Sequence, residues 1–194
     1  MFSSARPTLI PRRLLITDSD RFPDWQAALA RLPMASGVIL RDYAHPHRAE
    51  LGERMARACR QKGHVFFVAG DRALATKLGA GYHAPAYQTR HPLRHPLPPP
   101  LRGRSLAAAH NKAEVNRAAQ HGFGAVLISP VFATASHPNA PCLGVYGFFD
   151  LANHATRRGL RVYALGGMTP QNHRRLAASG QVYGFAGITT FNNL

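Results

Sequence analysis

The sequence predicts a closed (β/α)8 TIM barrel, with an irregular proline-rich segment after strand 4. Three observations carry this expectation. Short apolar runs recur eight times along the 194 residues, and a segment with helical spacing follows nearly every one. The runs also lack the clean alternation of a half-exposed sheet, as strands buried on both faces do. An open doubly wound sheet is the competing architecture.

The units follow in order after a tail over residues 1–12, and residues 1–194 read as one domain. Arg13 to Thr17 is the first strand; Trp25, Ala28, Leu29 and Leu32 then share one helical face. Gly37 to Arg41 is the second, followed by a helix from His47 to Lys62 with Leu51, Met55, Ala58 and Cys59 on one stripe and Gly63 as its stop. His64 to Val68 is the third, with a helix over 71–78 for which Asp71 is a ready N-cap. Gly81 to Ala84 is a short fourth. The next stretch, residues 87–103, contains His-Pro-Leu-Arg-His-Pro-Leu-Pro-Pro-Pro, which forbids a regular helix and leaves room for one turn. Arg104 to His110 precedes a helix over 112–121. Ala125 to Val131 precedes one over 147–158. Leu160 to Leu165 precedes one over 170–178, and Val182 to Ile188 is the eighth strand.

Composition narrows the function. At 45% hydrophobic residues the chain can bury a sizeable core, and no window approaches the ~20 apolar residues of a membrane span. The first residues, MFSSARPTLIPRRLLITDSD, carry arginines and a proline where a signal peptide needs an unbroken apolar region, so a cytoplasmic location is expected. Cys59 and Cys142 match no metal or redox spacing and read as free thiols. The net charge of +15 favours an anionic ligand by long-range attraction. Only Lys62, Lys77 and Lys112 are lysines, and the arginines are dispersed without interleaved aromatic platforms; compositional bias therefore outweighs nucleic-acid binding. A homo-oligomer is left open.

In such a barrel the active site forms at the C-terminal strand ends. Two of those ends are Gly166-Gly167 and Ala186-Gly187. Both offer backbone N–H groups without bulky side chains, and Thr169-Pro170 after the first pair is a helix start. A phosphate seat after strands seven and eight is the expectation; a tight βα turn is the plainer explanation. His45, His47, His91 and His95 show loose ligand spacings without a carboxylate or cysteine partner and read as solvated, so no metal site is expected.

The segments Leu14-Leu-Ile-Thr-Asp18, Val38-Ile-Leu-Arg-Asp42, Ser129-Pro-Val-Phe-Ala-Thr134, Leu143-Gly-Val-Tyr-Gly147 and Ala164-Leu-Gly-Gly-Met-Thr-Pro170 resemble the thiamine-phosphate synthase/TenI family. The resemblance runs from about residue 13 to 190. It implies the barrel fold and a small anionic partner, a thiazole phosphate or thiamine phosphate. Its members include synthases that join a pyrimidine pyrophosphate to a thiazole phosphate, and TenI-like tautomerases that aromatise a carboxythiazole phosphate.

By this resemblance the amides of Gly166, Gly167, Ala186 and Gly187 hold the phosphate, and Thr134 and Ser136 belong to a loop closing over it. His137 stands where the synthase has lysine. Arg41 matches an active-site arginine and His110 the proton-transfer histidine; His83, on the fourth strand, is a further substrate-contact candidate. The family's Asn-Asp after strand three is Ala69-Gly70 here, and no Asp or Glu stands between Asp71 and Glu114. A synthase needs Mg²⁺ and carboxylates for the leaving pyrophosphate. The expected function is therefore a TenI-like thiazole tautomerase without cofactor. The alternatives are a synthase with an altered metal-pyrophosphate site, which would need Mg²⁺, and a non-catalytic thiamine-phosphate-binding regulator. A basic nucleic-acid-binding protein is the remote alternative.

Overall fold

In the computed structural model, residues 10–21, 23–91, 95–134 and 141–188 are described, Pro170 without its side chain. Strands and helices alternate as β1 (Arg13–Ile16), α1 (Trp25–Arg31), β2 (Gly37–Leu40), α2 (Arg48–Gln61), β3 (Val65–Ala69), α3 (Arg72–Lys77), β4 (Gly81–Ala84) and α4 (Ala86–Thr89). The second half adds β5 (Leu106–Ala109), α5 (Lys112–Gln120), β6 (Ala125–Ile128), α6 (Gly144–Thr156), β7 (Arg161–Leu165), α7 (Pro170–Ala177) and β8 (Gly184–Gly187). All strands are parallel, each pairs with the next, and β8 pairs back on β1 to close the barrel. The open-sheet alternative is excluded by the Leu14–Ala186 and Leu15–Gly187 register.

Closure explains why the strands read as unbroken apolar runs. Alternate residues point to two separate cores. Leu14, Ile16, Ile39, Phe67, Leu106, Leu127 and Tyr163 fill the barrel interior. Leu15, Val38, Leu40, Val68, Tyr82, Val126 and Val162 pack outward against the helices, where they meet Leu29, Met55, Cys59, Val115 and Phe148. Interior glycines make room for large neighbours: a Cβ on Gly81 would sit 2.4 Å from the Phe67 ring. Cys59 is buried in the outer core, where burial pushes its thiol up to about 12, and Cys142 is exposed; both are free.

The proline-rich segment behaves as its composition dictates. One helical turn, α4, follows β4, and a single 3₁₀ turn spans Pro99–Leu101. Leu97 and Leu101 are each 1% exposed and anchor the segment, while Leu97 N–H donates to the His121 carbonyl at 3.1 Å. Strand β6 ends at Ile128 rather than Val131, because Pro130, joined to Ser129 by a cis peptide, has no N–H for the ladder. Helix α6 starts at Gly144, three residues ahead of the expected start. Asp71 caps α3 as expected, its carboxylate accepting from Leu74 N–H at 2.9 Å. Among the described residues no helix is long and apolar enough to cross a membrane.

Candidate functional site

At the mouth above β1 and β2 the side chains bind one another. Arg41 is half-exposed, and its guanidinium meets Asp18 at 2.5 Å; Asp18 lies also 3.6 Å from Arg21. Asp42 accepts from the Thr17 hydroxyl, and from the Ser19 N–H and hydroxyl at 2.6 Å each. Burial pushes the Asp42 carboxyl upward, but the Ser19 and Thr17 hydrogen bonds together hold it below the usual carboxylate value. Arg48 reaches from α2 to donate to the carbonyls of Leu40, Asp42 and Ala69, tying the ends of β2 and β3 together.

Above β3 and β4 the mouth is aromatic and amide-lined rather than acidic. Tyr43 and Tyr87 meet edge to face with ring centroids 6.1 Å apart. Gly70 lies beneath them, where a Cβ would stand 2.6 Å from the Tyr87 hydroxyl. Gln88 accepts from the Tyr82 hydroxyl and donates to the Gly70 carbonyl. His83 is buried and on the inward-facing register of β4; burial pushes its imidazole down to about 4, although a hydrogen bond to the Leu106 backbone opposes this. Its Nδ1 has no hydrogen-bond partner.

His110, immediately after β5, is one-third exposed and backed by a carboxylate. Glu114, 3% exposed on the first turn of α5, accepts the His110 backbone N–H at 2.7 Å and stands 2.9 Å from Nδ1. Asn111 completes the cluster, its amide donating to the other Glu114 oxygen at 3.1 Å. Glu114 went unread in the sequence. The signal available was Asn111-Lys-Ala-Glu114, the capping-box spacing, with a histidine just ahead of it.

Gly166 and Gly167 end β7 with φ of 95° and 62°, backbone that L residues rarely adopt. The loop after β6 lies directly on them. A Cβ on Gly166 would stand 2.9 Å from Pro130 Cα, and one on Gly167 2.6 Å from the Ala133 carbonyl oxygen. Turn geometry and loop packing thus require both glycines before any ligand is considered. Thr169 and Asn172 form a reciprocal capping box at the start of α7, and Asn172 also donates to the Gly167 carbonyl at 2.8 Å. Thr134 follows Ala133, so the β6 loop comes to the Gly167 edge of the mouth. Ala186 is fully buried in the inner core, level with Leu165 and Leu14, and Gly187 is level with Leu15. Ser136 and His137 lie outside the described residues.

Three carboxylates near the mouth are engaged by protein groups. Asp71 is spent on capping α3, Asp42 on Thr17 and Ser19, and Asp18 on Arg41. Among the described residues no three His, Cys, Asp or Glu side chains converge.

Comparison with known proteins agrees with the fold. A family profile described as thiamine monophosphate synthase (TMP-TENI) matches residues 14–191. "Putative thiamine-phosphate synthase 2" of Aquifex aeolicus is 32% identical over 84 residues, which span 43% of this chain and 43% of that protein's length. The thiamine phosphate pyrophosphorylase structure from Pyrococcus furiosus superposes with a TM-score of 0.70 at 21% identity, covering 95% of this chain and 88% of the other. A KDPG aldolase from Legionella pneumophila shares the fold at a TM-score of 0.59 and 11% identity, with 93% and 84% covered. The profile runs through every strand of the barrel and both glycine-bearing ends of its mouth, and on that ground the chain belongs to the thiamine monophosphate synthase/TenI family.

Proposed function

We propose that the protein is a thiazole-phosphate tautomerase of the TenI type, a cytoplasmic enzyme that moves a proton on a carboxylated thiazole phosphate. The observation that carries this reading is His110: a partly exposed imidazole at the mouth, held by a buried carboxylate. In this reading the phosphate sits on the amides of Gly166, Gly167, Ala186 and Gly187 beside Thr134, with Ser136 and His137 on the covering loop. Arg41 takes the substrate carboxylate. It shares its guanidinium with Asp18, so only part of its donor fork is available. His83, on the inward-facing register of β4, is a further substrate contact in this reading. His110 Nε2 removes a proton from the saturated ring carbon. The electron pair moves into the ring, and the proton returns to the far end of the conjugated system. No redox partner or metal enters this balance.

The test follows proton exchange and product formation with the carboxylated thiazole phosphate in D₂O by NMR. His110→Ala lowers kcat by roughly 10²- to 10⁴-fold, the range for losing a general base. Its affinity for inorganic phosphate stays within twofold of wild type. Turnover near wild type in that variant removes His110 from the mechanism.

A second reading, synthase activity, is favoured by the names of the relatives above. It requires product from a pyrimidine pyrophosphate and a thiazole phosphate in the presence of Mg²⁺. Formation of that product, lost on chelation, replaces the tautomerase reading. Thermal stabilisation by thiamine phosphate without either turnover identifies a non-catalytic binder instead.

A further inference from the structure

We infer that Glu114 is a positioning residue that fixes the protonation pattern of His110: it holds the proton on Nδ1 and leaves Nε2 as the acceptor at the barrel mouth. This rests on the reading of His110 as the base, but the arrangement itself is read from the geometry. An ionised carboxylate only accepts hydrogen bonds, so the 2.9 Å contact with His110 Nδ1 places the proton on that nitrogen. A neutral imidazole carries one N–H, and the lone pair then belongs to Nε2. The same Glu114 oxygen accepts the His110 backbone N–H at 2.7 Å. Backbone and ring of one residue are thereby clamped on one atom, which restricts the ring's rotation as well as its tautomer.

Helix capping does not account for this carboxylate. The first turn of α5 is capped by Asn111, whose Oδ1 accepts the Glu114 N–H at 3.0 Å. The hydrogen bonds to the Glu114 carboxylate come from elsewhere: His110, ahead of the cap, and the Asn111 side chain. Nor is it neutralised by a cation. Lys112, two residues away, pairs with Asp150 of α6 at 2.8 Å, and His110 is the one charge partner of Glu114 among the described residues. A carboxylate at 3% exposure without Lys or Arg is expensive to bury, although the α5 N-terminus offsets part of the cost. The other histidine–carboxylate contact among the described residues, His47 with Glu50, is exposed and 3.7 Å long. Burial, short contacts and the absence of a capping duty therefore coincide at the histidine that follows β5.

Glu114→Gln keeps the size and an acceptor oxygen while removing the charge. The experiment compares full-length wild type and this variant, uniformly ¹⁵N-labelled, using long-range ¹H–¹⁵N correlations that distinguish Nδ1–H from Nε2–H imidazole. Wild type shows His110 protonated at Nδ1 in its neutral form; the variant shows Nε2–H or a mixture. Inorganic phosphate affinity and melting temperature serve as fold controls and stay close to wild type. If the carboxylated thiazole phosphate is turned over, the variant loses roughly 10- to 100-fold in kcat with little change in KM, the usual scale for an orienting partner. The same change in a His110→Ala background has no further effect, because residues acting through one another are not additive. An unchanged tautomer in Glu114→Gln, or an equal loss with and without His110, overturns the inference. Absence of turnover in wild type overturns the tautomerase reading alone, since the tautomer measurement needs no substrate.

Discussion

Asp42 and His83 show how single side chains set the response of this barrel to acid. Asp42 collects three hydrogen bonds from Thr17 and Ser19, and its carboxyl is held below the ordinary 3.8. Hydrogen bonds to a charged group are worth roughly 1.5–3 kcal/mol, and the partial exposure of Asp42 favours the lower end. Asp42→Ala is expected to cost about 1.5 kcal/mol in urea denaturation at pH 7, a difference that vanishes as pH falls through the depressed folded value. His83 works over a higher range. Burial pushes it from 6.5 down to about 4 in the folded protein. On acidification the unfolded chain takes up a proton near 6.5, while the folded chain resists until near 4. The unfolded state therefore binds more protons across that window, and stability falls as pH drops through it. His83→Gln should flatten the denaturation free energy between pH 6.5 and 4; an unchanged slope would show that His83 does not set it.

At the scale of elements, the turn from β7 into α7 was legible as a doubled glycine, but not for the reason that first suggests itself. A phosphate seat was one explanation. The structure supplies another that holds with or without ligand: both residues have positive φ, and the β6 loop presses against them. Gly166→Ala and Gly167→Ala are each expected to lower stability by about 1–3 kcal/mol, the scale of strained backbone, read as a lower melting temperature without phosphate present. Helix boundaries were legible where a local cap sets them, as at Asp71 and Thr169. They were not legible where tertiary hydrogen bonds decide. The start of α6 follows from Leu143 and Gly144 donating to the carbonyls of Pro130 and Val131, partners that no local pattern reveals.

For the whole molecule, the acidic residues are distributed unevenly along the chain's βα units. All nine acidic residues lie on the loops after strands or in the first half and middle of helices. Cations also stand at the other ends of these units: Arg12 and Arg13 at the start of β1, Arg60 and Lys62 at the end of α2, Arg157 and Arg158 after α6. Some of this complements helix dipoles, acids at N-termini and bases at C-termini. Packing also uses it, since Arg12 and Arg161 stand 4.9 and 5.2 Å from the Tyr183 ring centroid. The remainder is self-repulsion at a net charge of +15. Raising salt from 10 to 150 mM shortens the screening length from about 30 to 8 Å. The melting temperature should rise by roughly 2–4 °C, about 1 kcal/mol for a chain of this size; a flat profile would mean that this self-repulsion does not strain the fold.

What the sequence by itself determined was the order and type of nearly every element, the eight-unit barrel and the family, because apolar periodicity, caps and short motifs are local properties of the chain. It also pointed to the glycine-bearing strand ends through their positions after strands, and to His110 and Arg41 through the family resemblance. Only the tertiary structure decided the partnerships that define their chemistry. Asp18 engages Arg41 across 23 positions, and the β6 loop covers Gly166 and Gly167. Glu114 turns back to His110 rather than toward solvent. Such contacts depend on how strand ends converge when the barrel closes and on the direction in which each helix leaves its strand, and those angles follow from packing rather than from residue spacing.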